Sequence, residues 1–266
     1  MPFNQKIPKP MKPPFKPTNE ILEICELIDI GISAFSKTIA KLSLGTFEYE
    51  VTAYIHITSA IRLLESIAEL AKKDLIYVHS ALVMARSIFE GLVKTAWMLF
   101  PDDNFTKETR YVSYLQSESD YLGKTAKMFG ETNESGKQTL YTKSQVDEFK
   151  SNLTKLLLQK GYQVPIFPNF REILKELKED QKYLYYIKLS QYSHFSHHST
   201  MIYQKHLGIN KVLTEDPNID LWKWAFITTI PAFKLASNFL FASLGSAENI
   251  YSHSEWQRFE KLIHNL

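Results

Sequence analysis

The stretch DLIYVHSALVMARSIFEGLVKTAWMLF, Asp74 to Phe100, decides the fold. It contains no proline, and a helix drawn through it is apolar on nearly every side, which places that helix at the centre of a bundle. Asp74 has the chemistry of an N-cap, and Pro101 ends the run. Charges within this apolar surface are informative. Arg86 and Glu90 stand four apart on one face, beside His79, Val83, Val93 and Trp97. Charge inside a packed helix is costly unless paired, so the two residues pair with each other or with a third polar group. They form either a structural ion pair or part of a site.

Helical periodicity continues in both directions. Thr18 can cap a first helix in which Ile21, Ile24, Cys25, Ile28, Ile32, Phe35 and Ile39 recur to about Leu44. A second helix runs from about Phe47 to Lys73. After the PDDN turn at 101–104, a polar outer helix covers about 106–129. Residues 130–139, GETNESGKQT, have loop composition. An amphipathic helix is expected over 143–160, with Val146, Phe149, Leu153, Leu156 and Leu157 inward. Asn169 caps a short helix to Leu177, another begins near Gln181, and 206–218 form an irregular connection. Helices over 220–244, carrying Pro231, and 252–263 complete the chain. No repeat and no run of alternating strand residues is present. The fold class is therefore all-α, a multi-helix bundle with long central helices and short loops. Residues 1–17, with six prolines, four lysines and no acidic residue, form a flexible arm on a single helical domain spanning 18–266.

Composition narrows the function classes. A formal net charge of +2 is too small to argue by itself for nucleic acid or an anionic membrane. The single cysteine, Cys25, rules out an intrachain disulfide, suits a reducing compartment and falls in an apolar helical repeat. The N-terminal residues lack the apolar run of a secretory signal, and the most hydrophobic segment, 222–244, is interrupted by Lys223, Pro231, Lys234 and Asn238. A cytoplasmic protein with no membrane partner is expected. There is no phosphate-binding glycine loop, Gly-x-Ser-x-Gly, Cys-x-x-Cys or His-Glu-x-x-His.

Chemistry concentrates in YLYYIKLSQYSHFSHHST, Tyr183 to Thr200, which holds three histidines, four serines and four tyrosines. Continued as a helix, it aligns Tyr186, Ile187, Ser190, His194 and His197 on one stripe, with His198 one turn beyond His194. Imidazoles exchange protons near neutral pH and also bind metals.

Arg86-Ser87-Ile88-Phe89-Glu90 followed by Trp97, and Leu189-Ser190-Gln191-Tyr192-Ser193-His194-Phe195-Ser196, resemble the pattern of an uncharacterised bacterial all-helical family. That family shows Arg-Ser-x-x-Glu in a central helix and Leu-Ser-x-x-x-His-x-Ser in a later one, and the similarity spans roughly residues 50–245. More remotely, the helices and the Arg/His pairing resemble the HEPN ribonucleases. Those are helical bundles, often dimeric, that act as toxins or phage-defence effectors and cleave RNA without a metal. HEPN enzymes usually carry Arg four to six residues before His on one helix. Here Lys188 stands six before His194, and the candidate Arg is on another helix.

The resemblance implies a homodimeric, metal-independent endoribonuclease acting on RNA. Arg86, Glu90 and His194 would be catalytic, with Ser190, Ser196, His197 and His198 contacting substrate. No metal and no cofactor are expected. Two other readings remain open. One is a non-catalytic interaction or regulatory protein in which Arg86, Glu90 and His194 form a buried network. The other is a metal site built on His194 and His198 at i, i+4, with His197, His206 or Glu90 completing the shell.

Overall fold

The computed structural model describes residues 14–130, 132–194, 204–205, 212–213 and 219–266. It is an all-α bundle. The helices are α1 (Asn19–Ile39), α2 (Glu48–Lys73), α3 (Val78–Leu99), α4 (Asn104–Phe129), α5 (Glu134–Gln159), α6 (Phe170–Glu176), α7 (Tyr183–Ser193), α8 (Ile219–Ser243) and α9 (His253–Asn265). Among the described residues there is also a two-residue antiparallel ladder, Gln204–Lys205 with Val212–Leu213; its second strand falls in the 206–218 segment expected to be irregular, and its first lies just before that segment.

α3 is the axis. It packs against α8, α2, α7 and α6, and buries Ala81, Leu82, Ala85, Ile88, Phe89 and Leu92. Its entry is tied from three directions. A single turn of 3₁₀ helix, Leu75–Tyr77, precedes it, with the Asp74 carboxylate accepting the Ile76 N–H. The same carboxylate accepts the Phe15 N–H at 3.1 Å, and Leu75 N–H returns a bond to Phe15 O. The buried Trp222 indole on α8 donates to Leu75 O at 2.9 Å. Residues 1–13 of the expected arm lie outside the described residues, while Phe15 packs against the core.

Caps follow the sequence chemistry at most helix starts. Thr18, Asp103, Asn133, Asn169 and Ser252 each accept a first-turn N–H, the last two with a reciprocating glutamate. At α2 the N-cap position is Phe47, which cannot cap. Glu108 of α4 substitutes, its carboxylate accepting from Glu48 N and Tyr49 N. Burial raises the Glu108 carboxyl to about 7.

Three expectations are corrected. α1 ends at Ile39 and not near Leu44, because Lys41 and Leu42 tighten into i→i−3 bonds. Residues 134–139 are helix and not loop: Asn133 caps α5, and its glycine is simply carried in the first turn. On α5 Phe149 and Leu156 are exposed, and Leu157 is the buried apolar residue, because α5 packs almost wholly on α4. Cys25 is buried, and desolvation raises its thiol to about 12, as suits an inert core position.

One glycine is required by a close approach. A Cβ at Gly31 would collide with the Tyr251 phenol, so the connection from α8 to α9 can lie against α1 only without a side chain there. Two segments, Leu75–Leu99 and Ile219–Ser243, are long and apolar enough to cross a bilayer. They pack on each other at the centre of the bundle, where burial against other helices accounts for the same composition.

Candidate functional site

The two motifs, more than a hundred residues apart in the chain, meet where α7 lies on α3. Arg86 Nε donates to Ser190 Oγ at 2.9 Å. The Ser190 hydroxyl spends its proton on Tyr186 O at 2.8 Å, so a lone pair is turned to the guanidinium. The guanidinium carbon lies 3.9 Å from the Tyr186 ring centroid, and that ring is backed by Phe170 at 4.3 Å. Stacking and two hydrogen bonds therefore fix the orientation of Arg86.

Glu90 joins two cations. One oxygen accepts from Arg86 Nη1, and the other accepts from Lys94 Nζ at 2.8 Å. Burial pushes its carboxyl upward, but the hydrogen bonds and charges of Lys94 and Arg86 outweigh this and hold it below the usual carboxylate range. Arg86 and Glu90 side chains are 14% and 29% exposed, so the pair is screened from solvent without being sealed from it. Among the described residues the hydrogen bonds of Arg86 are made by Nε and Nη1 and none by Nη2.

His194 is the C-cap of α7, one turn beyond Ser190 on the same face, and its N–H donates to Ser190 O at 3.2 Å. Its exposed side chain makes no hydrogen bond or ion pair with Arg86 or Glu90 among the described residues. The helix expected to continue to Thr200 is described only to Ser193. Ser196, His197, His198 and His206 lie outside the described residues. Ile187, expected on the same stripe, is 42% exposed; Leu189 and Tyr192 are buried instead, because α7 turns that edge toward α3 and the core. Among the described residues no cluster of three or more His, Cys, Asp and Glu side chains has metal-binding proximity.

Lys188, at the position where HEPN spacing would put a cation, is directed elsewhere. Its ammonium sits 3.8 Å from the Trp224 ring centroid on α8, and burial lowers its pKa. Trp97 of the first motif is a joint between helices. Its indole donates to Glu176 of α6 at 2.8 Å, and Arg110 of α4 bridges Glu176 and Trp97 O while stacking 4.5 Å from the indole centroid.

Lys94 and His56 were not singled out in the sequence. Lys94 was detectable as the i+4 extension of the Arg86–Glu90 ladder. His56 on α2 had no such signal. Its Nδ1 is 3.0 Å from Thr95 Oγ1, whose own proton goes to Gly91 O, so Nδ1 carries the proton and Nε2 is an acceptor.

Burial and then the charge of Lys94 lower the His56 pKa. The unfolded chain therefore takes this proton before the folded one, and stability present above about 6.5 is lost as pH falls below it. Glu108 acts with the opposite sign, since its raised pKa means the folded chain binds that proton first. The expected result is a difference. Between about pH 7.5 and pH 5.5, wild type should lose more melting temperature than His56→Gln does. Parallel melting curves would show that His56 is not held neutral by the fold.

The family model for a family of unknown function, DUF5677, matches residues 50–210. The chain belongs to this DUF5677 family. The match contains all but the first two residues of α2, the helices from α3 to α7, and both motifs. No curated protein and no solved structure matches the chain.

Proposed function

We propose that this DUF5677 protein is a HEPN-like, metal-independent endoribonuclease of toxin or phage-defence type, acting in the cytoplasm as a homodimer. The observation that carries this reading is the Arg86–Ser190 hydrogen bond. It brings a solvent-reachable, oriented guanidinium to the helix face whose next turn presents His194. RNA supplies its own nucleophile. The 2′-oxygen attacks phosphorus, the bond to the 5′-oxygen breaks, and a 2′,3′-cyclic phosphate and a free 5′-hydroxyl result. His194 moves a proton in this step, and Nη2 of Arg86 meets the charge growing on the phosphoryl oxygens. Glu90 and Ser190 position Arg86. Leu184 and Ile187, exposed on the outer face of α7, supply apolar surface for a second copy.

A second reading has its own support. Arg86 is already engaged by Glu90, Ser190 and Tyr186, as a network that only fixes the register of α7 on α3 would require. Incubation of purified protein with end-labelled RNA separates the two. Cyclic-phosphate products are expected from wild type, with His194→Ala and Arg86→Lys each slower by about 10²-fold or more while still folded. Full activity in folded His194→Ala, or intact RNA with wild type, leaves the register-fixing network.

A further inference from the structure

A cavity of about 330 Å³ opens between α2 and α3, lined by His56, Leu63, Gly91, Leu92, Lys94 and Tyr114, among others. Its size falls at the lower end of the range for small-molecule sites. Gly91 sits in the interior of α3, where glycine is less favourable than alanine. A Cβ at this position would meet nothing within 4 Å. Close packing therefore does not account for the glycine; the missing side chain keeps the cavity open.

The polar groups select the ligand. Lys94 uses one ammonium proton on Glu90 and keeps two. Glu90 also lines the cavity, but one of its oxygens is taken by Arg86 behind the wall and the other by Lys94, and burial lowers the His56 pKa, which disfavours a second cation there. A cationic ligand is disfavoured, and an anionic head finds donors. The rest of the wall offers Ala60, Leu63, Ile88 and Leu92 as apolar surface.

We propose that this cavity binds a small apolar monocarboxylate, its head at Lys94 and its body against Leu63, Ile88 and Leu92. The carboxylate meets the ammonium face that Glu90 leaves free, and Gly91 gives the body room to lie along α3. Ligand binding at this place requires no RNA and no catalytic step.

Titration calorimetry with benzoate, phenylacetate and hexanoate, each beside its neutral amide, tests the assignment. At least one carboxylate is expected to saturate the protein with Kd on the order of 10⁻⁴ M and to bind about tenfold more tightly than its amide. Lys94→Met should remove that preference. Gly91→Leu should abolish binding by filling the space. Gly91→Ala, which only adds a methyl group, should raise Tm by a few degrees, about 2–4 °C, and shows that the helix accepts side chains there. The proposal is overturned if none of the three carboxylates saturates below about 10 mM, if amides bind equally well, or if Gly91→Leu binds unchanged.

Discussion

Arg86→Ala is expected to lower the stability of the fold by about 2–4 kcal/mol, seen as a fall in Tm of roughly 5–15 °C. The substitution removes the bond to Ser190, the pair with Glu90 and the stack on Tyr186 together. Breaking a fully buried pair costs about 3–5 kcal/mol because a charge is left without a partner. Here Glu90 keeps Lys94, so the lower figure applies. Ser190→Ala should cost about 1–2 kcal/mol, and the double variant should fall short of the sum of the two single losses. Chemical denaturation of all three checks this. Additive losses would mean that Arg86 and Ser190 are not coupled and that α7 is held on α3 by its buried Leu189 and Tyr192 alone.

Trp222→Ala should be more damaging, about 3–5 kcal/mol, as the largest fully buried side chain of α8 is lost. Its ring stacks 5.9 Å from Phe226, and its indole N–H meets Leu75 O at the entry to α3. Trp222→Phe isolates the second contribution. It keeps most of the apolar volume but leaves Leu75 O without its indole donor, for a loss of about 1–3 kcal/mol. Melting of both variants, with hydrogen exchange on residues 75–80, reads the prediction. Local exchange that stays unchanged in Trp222→Phe would show that the indole bond does not hold the turn before α3.

By itself, the sequence determined the helical architecture. The all-round apolar surface of Asp74–Phe100 made α3 the axis, and capping residues such as Thr18 and Asn169 marked helix starts, because period and cap chemistry are local properties. It also marked Arg86 and Glu90, since charges on an apolar helix demand partners. Where the signal was not local, only tertiary structure decided. Loop-like composition hid the first turn of α5, whose Asn133 cap outweighs its glycine. Leu156 and Phe149 follow helical spacing yet face solvent, because a helix paired mainly with α4 has too little neighbouring surface to cover its apolar residues. Ser190 against Arg86, Lys188 against Trp224 and His56 against Thr95 are each pairings between different helices, and no spacing along one helix encodes the angle at which another crosses it.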